Sequence, residues 1–170
     1  MANFEKIIPF ILDNEGGYVN AAGDSGGETN FGISDARDGN VDGMADLDAD
    51  GKGDVAIKNL KLEEATRIYK RDYWNILKCD QINSDEVALN LFDFAVNAGS
   101  VQCAKLIQRL LGAKADGVIG PATLALINQK NELTLVKEFQ RARALFYVDL
   151  VIAKPSQTKF LKGWISRVFL

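Results

Sequence analysis

The sequence predicts a mainly α-helical fold with a small β-hairpin, and three observations lead to that prediction. Apolar residues recur at helical spacing through most of the 170 residues. Two short segments of β type, residues 18–20 and 31–34, flank a glycine-rich turn. No stretch of linker-like composition divides the chain, so we expect one hydrophobic core.

The predicted helices have recognisable starts and stops. They cover residues 4–14, 62–77, 84–97, 100–111, a stretch from 121, 132–153 and 158–169. Ser84 and Ser100 are expected to cap the third and fourth helices, since a serine hydroxyl accepts a hydrogen bond from an unpaired backbone N–H. Pro121 suits a first helical position, and Pro155 ends the long sixth helix.

Composition excludes several classes of function. A net charge of −3 gives no general affinity for nucleic acid, and no stretch approaches the ~20 apolar residues of a membrane span. The first residues lack the basic region and the small-residue cleavage site of a signal peptide. We therefore expect a monomer made in the cytoplasm, with no nucleic-acid partner and no membrane span.

The chain contains no histidine, which removes most hydrolytic mechanisms. Zinc hydrolases rely on imidazole ligands, and Ser-His or Cys-His hydrolases need an imidazole base. Cys79 and Cys103 have no metal-ligand spacing and are expected as reduced thiols, with a single bridge left open. Hydrolysis by carboxylates alone, as at a glycosidic bond, is the natural remaining option.

The segment from residue 15 to residue 34 carries the candidate chemistry. Cleavage of a sugar acetal needs an acid for the leaving oxygen, a carboxylate that stabilises the cation or activates water, and a group that holds the water. Glu15, at the end of the first predicted helix, is the candidate acid. Asp24 is the candidate second carboxylate, with Glu28 as its competitor, and Thr29 is the candidate for orienting water.

Each of these residues also has a structural interpretation. Glu15 can be a solvated helix end, although a glutamate there faces the negative end of the helix dipole. Asp24 can be a turn residue that bonds its own backbone. Thr29 can be an ordinary β-branched strand residue.

An acidic insert repeats one motif twice. Segments that start at Asp38 and Asp46 read D-x-[DN]-x-D-G-x-x-D, the ligand spacing of a calcium loop with glycine at position six. The candidate ligands are Asp38, Asn40, Asp42, Asp46, Asp48, Asp50 and Asp54. Ala49 and Ile57 replace the bidentate glutamate at position twelve, so affinity should be modest. We expect a structural calcium or similar cation and no cofactor for catalysis, against the alternative of a solvated acidic loop.

Several motifs resemble one known family. The segments Glu15-Gly-Gly-Tyr-Val-Asn, Gly26-Gly-Glu-Thr-Asn-Phe-Gly-Ile-Ser and Tyr69-Lys-Arg-Asp-Tyr-Trp are similar to glycoside hydrolase family 108, the N-acetylmuramidases of phage and bacterial origin. Leu91-Phe-Asp-Phe-Ala-Val-Asn-Ala-Gly and Asp116-Gly-Val-Ile-Gly-Pro-Ala-Thr resemble the predicted peptidoglycan-binding region that follows in that family. The resemblance implies a lysozyme-like fold and Glu15 as the catalytic acid.

The resemblance also implies an activity and a domain arrangement. The expected reaction cleaves the β-1,4 bond between N-acetylmuramic acid and N-acetylglucosamine in periplasmic or cell-wall peptidoglycan. Residues 1–90 would form the muramidase region and residues 91–170 the peptidoglycan-binding region, packed as one compact unit. Three alternatives stay open: a lytic transglycosylase with Glu15 as sole acid and base, a non-catalytic wall-binding or secretion-assisting protein, and a calcium-loop interaction module.

Further polar and aromatic residues are candidates for substrate contact. Tyr18, Tyr73 and Trp74 can stack on sugar rings, although a core position is expected for Trp74. Asp93 and Asn97, one helical turn apart, can contact saccharide or acetamido groups, or can act as buried hydrogen-bonding partners.

Overall fold

The computed structural model describes residues 1–13, 15–20 and 27–169, with the side chain of residue 38 left out. Contacts between residues divide the chain into two compact units, and the single core expected from the sequence stays a prediction. Glu5–Arg71 form the N-terminal unit, and Met1–Phe4 together with Asp72–Leu170 form the helical unit. Their boundary falls inside a continuous helical stretch, so no linker-like composition marks it.

In its described residues, the N-terminal unit combines two α-helices with two short hairpins. Its elements are α1 (Phe4–Asp13, whose first residue belongs to the helical unit), β1 (Thr29–Asn30), β2 (Ile33–Ser34), β3 (Met44–Ala45), β4 (Val55–Ala56) and α2 (Leu62–Tyr69). Strand β1 pairs with β2 and β3 pairs with β4, both antiparallel. The fold is mainly helical with a small hairpin, as the sequence predicts, but the second hairpin was not expected.

The first hairpin has a different register from the predicted one. Thr29 pairs with Ser34, which leaves Phe31 and Gly32 as a two-residue turn with φ values of 49° and 73°. Positive φ at both turn positions is the pattern of a type I′ turn, whose twist matches that of paired strands. Of the predicted segment 18–20, Val19 forms a single bridge to Thr29.

Helix α2 is shorter than predicted and changes geometry at its end. Its first turn is closed by Glu64, whose Oε2 accepts the Lys61 N–H at 2.8 Å. After Tyr69 the chain continues as a π-helical segment, Lys70–Trp74, instead of an α-helix to residue 77. Such wide turns recur at functional sites.

The helical unit consists of α3 (Asp85–Ala98), α4 (Ser100–Leu110), α5 (Pro121–Gln129), α6 (Glu132–Ala153) and α7 (Thr158–Val168). The long helix α6 packs against α3, α4 and α7. Leu91, Phe94, Ile107 and Phe139 lie buried in this core. No helix among the described residues is long and apolar enough to cross a membrane.

The helix caps show where local sequence was sufficient. Ser84 Oγ accepts the Val87 N–H at 3.1 Å, which confirms the predicted cap of α3. The prediction for Ser100 was wrong: it is the first residue of α4, and its hydroxyl donates to the Asp72 carbonyl at 3.0 Å. Gly99 takes the cap position because its φ of 90° lets one residue both end α3 and start α4.

Candidate functional site

Glu15 lies just after α1, with its carboxylate against the turn of the first hairpin. Its N–H donates to the Leu12 carbonyl at 3.1 Å, which extends the helical turn to the acid. A Cβ placed on Gly32 would lie 2.5 Å from Glu15 Oε2 and 2.8 Å from Glu15 Cδ. Glycine is therefore needed at position 32 both for its φ of +73° and for the close approach of the carboxylate.

Tyr69, the last residue of α2, meets the same turn. Its hydroxyl donates to the Phe31 carbonyl at 2.9 Å, and the residue is 1% exposed. The same hydroxyl also borders the position that a Gly32 Cβ would occupy. Phe31 itself is a bulky residue at positive φ, a conformation that costs about 1–3 kcal/mol and persists only where surrounding structure enforces it.

Tyr69 enters the sequence argument only as part of a family motif, and this contact was missed. A signal was available, because a tyrosine on a buried stripe usually finds a partner for its hydroxyl. The partner, however, lies 38 residues away in sequence. The end of α1, the hairpin turn and the end of α2 thus meet around one carboxylate.

Thr29 is the first residue of β1, in the hairpin that Glu15 contacts, and Glu28 directly precedes it. Thr29 exchanges backbone hydrogen bonds with Val19 at 2.8 and 2.9 Å, and its side chain is half-buried. Glu28 Oε1 accepts the amide of Asn20 at 3.1 Å, so this carboxylate is engaged at the edge of the hairpin. Asp24, the predicted second carboxylate, lies outside the described residues.

The aromatic candidates occupy different environments. Tyr18 is 45% exposed and accepts a long hydrogen bond from the Asn20 amide at 3.4 Å. Tyr73 is half-buried in the helical unit. Trp74 is 1% exposed and packs edge-on against Phe4 and Phe92, the core position expected for it.

Asp93 is a buried hydrogen-bonding partner, one of the two interpretations considered for it, whereas Asn97 is exposed and its contact with substrate stays a prediction. Asp93 is 0% exposed and its carboxylate is shared by two arginines, Arg143 through Nη2 and Arg167 through Nη2 at 2.7 Å. Asn97 Oδ1 accepts the Tyr147 hydroxyl at 2.9 Å. Asp93 therefore links α3 to α6 and α7 inside the core, and Asn97 adds a bond to α6 nearer the surface.

The second acidic repeat forms a compact loop between β3 and β4. Carboxylate oxygens of Asp46, Asp48 and Asp50 all lie within 4.8 Å of one another. Asp46 organises the loop by accepting backbone N–H groups, with Oδ1 bonded to Asp48 at 3.1 Å and Oδ2 bonded to Gly51 at 2.9 Å. Hard cations such as Ca²⁺ prefer oxygen sets of this kind.

Arg71 also bears on this cluster. Its Nη1 lies 4.0 Å from Asp46 Oδ1, and its Nη2 donates to the Asp46 carbonyl at 3.3 Å. Burial raises the pKa of Asp46, but the N–H donors of Gly51, Ala49 and Asp48 and the Arg71 guanidinium lower it more, so the net pKa lies below the ordinary value. The loop therefore favours an ionised Asp46.

The remaining predicted ligands have other partners or lie apart from the cluster. Asp54 Oδ2 accepts the Leu47 N–H at 2.7 Å, which closes the second repeat across its own loop. In the first repeat Asp42 Oδ1 accepts the Met44 N–H at 3.0 Å. Asp35, which has no place in the predicted motif, accepts the N–H groups of Asp42 and Gly43 at 3.1 and 2.8 Å. The side chain of Asp38 is outside the described part of the structure, and Asn40 is exposed.

Comparisons with known proteins cover nearly the whole chain. The glycosyl hydrolase 108 family model matches residues 8–99, and the model of a predicted peptidoglycan domain matches residues 102–169. The solved structure of SagA from Brucella abortus is 31% identical, with a TM-score of 0.77 over 97% of this chain and 88% of that one. A search of curated proteins finds no match.

The fold and the site first define a class. A lysozyme-like helical fold with an acid held at a hairpin turn is that of a glycoside hydrolase. Because the family model spans more than half of the sequence, this chain belongs to the glycosyl hydrolase 108 family. With its predicted peptidoglycan domain, it is a peptidoglycan hydrolase.

In the sequence, the boundary between the two family matches falls near residue 100. The boundary between the two compact units falls between Arg71 and Asp72. The helical unit therefore contains the last part of the hydrolase match as well as all of the peptidoglycan-domain match. A functional boundary at residue 90 stays a prediction.

Proposed function

We propose that this protein is an N-acetylmuramidase that hydrolyses the β-1,4 bond between N-acetylmuramic acid and N-acetylglucosamine in wall peptidoglycan. The observation that carries the proposal is the placement of the Glu15 carboxylate against the Phe31–Gly32 turn. Membership of the glycosyl hydrolase 108 family supports it.

In this proposal Glu15 donates its proton to the glycosidic oxygen. General acid catalysis by a positioned carboxyl group contributes about 10²–10⁴-fold to the rate. Asp24 then stabilises the oxocarbenium-like transition state or, with Thr29, positions the attacking water. Tyr18, exposed near the acid in sequence, is the proposed stacking surface for a sugar ring, and Tyr73 is a second candidate.

The test is lysis of purified peptidoglycan by the Glu15→Gln variant. The amide keeps the shape of the side chain but cannot donate the proton, so we expect turbidity clearance to fall at least about 10²-fold while wall binding persists. Glu63→Gln, at an exposed position of α2, is the matched control and should clear the wall at the normal rate. Unchanged lysis by Glu15→Gln would end the enzymatic role proposed for this residue.

The products decide between hydrolysis and the lytic transglycosylase alternative. Hydrolysis leaves reducing ends on N-acetylmuramic acid, whereas transglycosylation leaves anhydro-muramic ends. A muramidase requires the first product, with water incorporated from the solvent. If the protein releases only anhydro ends, the reaction is that of a lytic transglycosylase, in which Glu15 would act as both acid and base.

We also propose that the loop of Asp46, Asp48 and Asp50 takes a structural calcium or similar hard cation. The three clustered carboxylates support this, while the nearby Arg71 and the absent twelfth-position glutamate argue for modest affinity. Calcium should then raise the melting temperature and a chelator should lower it, with little change in lytic rate on well-folded protein. An unaltered melting temperature at millimolar calcium would contradict the proposal.

A further inference from the structure

We propose that Tyr69 is a positioning residue for Glu15: its hydroxyl fixes the Phe31–Gly32 turn and forms one side of the place that the Glu15 carboxylate occupies. This inference rests on the proposed function, because it assigns a role to Tyr69 only through the acid.

The first step is the anchoring of the turn. Phe31 is held at a φ of 49°, which a bulky side chain rarely adopts. Its carbonyl accepts the Tyr69 hydroxyl at 2.9 Å, a bond between α2 and the turn. Because Tyr69 is 1% exposed on a helix, its hydroxyl has little freedom to move, and the turn is fixed with it.

The second step is the contact with the acid. The Glu15 carboxylate and the Tyr69 hydroxyl both border the point where a Gly32 Cβ would stand. The absence of a side chain at position 32 therefore opens the space in which these two groups meet. The carboxylate of Glu15 has the turn on one side and the hydroxyl of Tyr69 on another.

The consequence concerns catalytic geometry. A catalytic group displaced by about 1 Å can lose about 10²-fold in rate, because proton transfer depends on distance and alignment. The supporting hydroxyl should therefore affect turnover more than substrate binding. A merely structural tyrosine would affect stability and leave the turnover of the folded protein intact.

The experiment compares Tyr69→Phe with Tyr147→Phe. Tyr147 is also a 1% exposed tyrosine with a side-chain hydrogen bond, to Asn97 at 2.9 Å, but it lies in the helical unit. Tyr69→Phe loses the bond to the Phe31 carbonyl, whereas Tyr147→Phe loses the bond to Asn97 and a long one from Arg143 Nε at 3.4 Å. Tyr147→Phe should therefore lower the melting temperature at least as much as Tyr69→Phe. Measured well below both melting temperatures, Tyr69→Phe should lower kcat at least about 10-fold with KM changed less than about 2-fold, while Tyr147→Phe keeps both.

A second pair keeps the proposal testable if Tyr69→Phe folds poorly. Phe31→Asn creates an Asn-Gly turn, the preferred sequence for positive φ at both positions, and should stabilise the hairpin without the hydroxyl. In the Phe31→Asn background, Tyr69→Phe should still lower kcat about 10-fold, at a melting temperature near that of wild type. Full recovery of kcat in the double variant would show that the hydroxyl acts only on turn stability and would overturn the proposal.

The outcomes separate this inference from the proposed function. Normal lysis by Glu15→Gln would reject the function, and the role of Tyr69 with it. Loss of lysis in Glu15→Gln together with a normal kcat for Tyr69→Phe would reject only the positioning role. A rise in KM with constant kcat would also reject it, since that result indicates substrate binding.

Discussion

Two carboxylates in this molecule, Glu15 and Asp93, show how environment assigns a role to the same chemical group. Glu15 is half-exposed at the hairpin turn of the N-terminal unit, beside a tyrosine hydroxyl. Asp93 is fully buried in the helical unit and neutralised by Arg143 and Arg167. A catalytic carboxyl group must be accessible to its substrate, whereas a buried carboxylate stabilises a fold only when its charge is paired. The second acid holds helices together, and the first, under the function proposed above, acts on the substrate.

Removal of the buried charge should produce the largest effect on stability. Asp93→Asn leaves the guanidinium of Arg143, 1% exposed, without its counter-charge, so we expect a loss of about 3–5 kcal/mol in the free energy of unfolding. Urea denaturation followed by circular dichroism measures it. Asp149→Asn, at an exposed position of α6, should change the same free energy by less than about 0.5 kcal/mol. Equal effects of the two variants would break the contrast drawn above.

The approach of Glu15 to the hairpin can be tested with two glycines of similar backbone conformation. Gly32 and Gly112 have φ values of +73° and +68°, but a Cβ on Gly112 meets nothing within 4 Å. Alanine at either position should cost about 1–2 kcal/mol of stability from the backbone alone. Gly32→Ala should also displace Glu15 and Tyr69 and reduce lysis about 10²-fold. Equal lytic rates for the two folded variants would contradict the close approach.

The acidic loop offers a smaller, pH-dependent comparison. The folded pKa of Asp46 lies below its ordinary value of 3.8, so its ionised form stabilises the fold above that pH, and this contribution is lost as the pH falls through the lowered pKa. Asp46→Asn should therefore lower the melting temperature at pH 7, with a difference from wild type that shrinks below about pH 4. Melting curves between pH 7 and pH 3 measure this. If the difference in melting temperature between the two proteins grows as the pH falls, the ionised Asp46 does not stabilise the fold.

The smallest expected signal comes from the cysteines. Cys79 and Cys103 are free and 0% exposed, and burial raises the pKa of both thiols. Neither should react with a thiol reagent in the native protein at neutral pH, and both should react after denaturation without reductant. Rapid native labelling would show that the core of the helical unit opens more readily than its packing indicates.

Local sequence predicted those features that depend on neighbouring residues. The long helix α6 runs from Glu132 to Ala153 as expected, because Asn131 accepts the Thr134 N–H at its start and Pro155 follows its end. The cap at Ser84 was predictable for the same reason, since its partner Val87 is only three residues away. Glu15 could be singled out because an acid followed by two glycines is a poor choice for a helix end.

Features that depend on distant residues could not be predicted in this way. The Tyr69–Phe31 hydrogen bond joins residues 38 apart, and the Asp93–Arg143 pair joins residues 50 apart. The second hairpin depends on the pairing of Met44 with Ala56. Its strands have only two residues each, too few to show an alternation of apolar and polar residues. No local pattern contains such information, since it arises only when separate segments pack together.

The pairing of Arg167 with Asp93 sets a limit on protein engineering. Arg167 is close to the C-terminal end of α7, 74 residues from its partner, and its neighbour Val168 is 0% exposed. Truncation before Arg167 would remove one of the two positive partners of the buried Asp93 carboxylate, so a protein shortened at this end should be less stable. A modification that retains Arg167 and Val168 is therefore the safer choice for immobilising the enzyme on a surface.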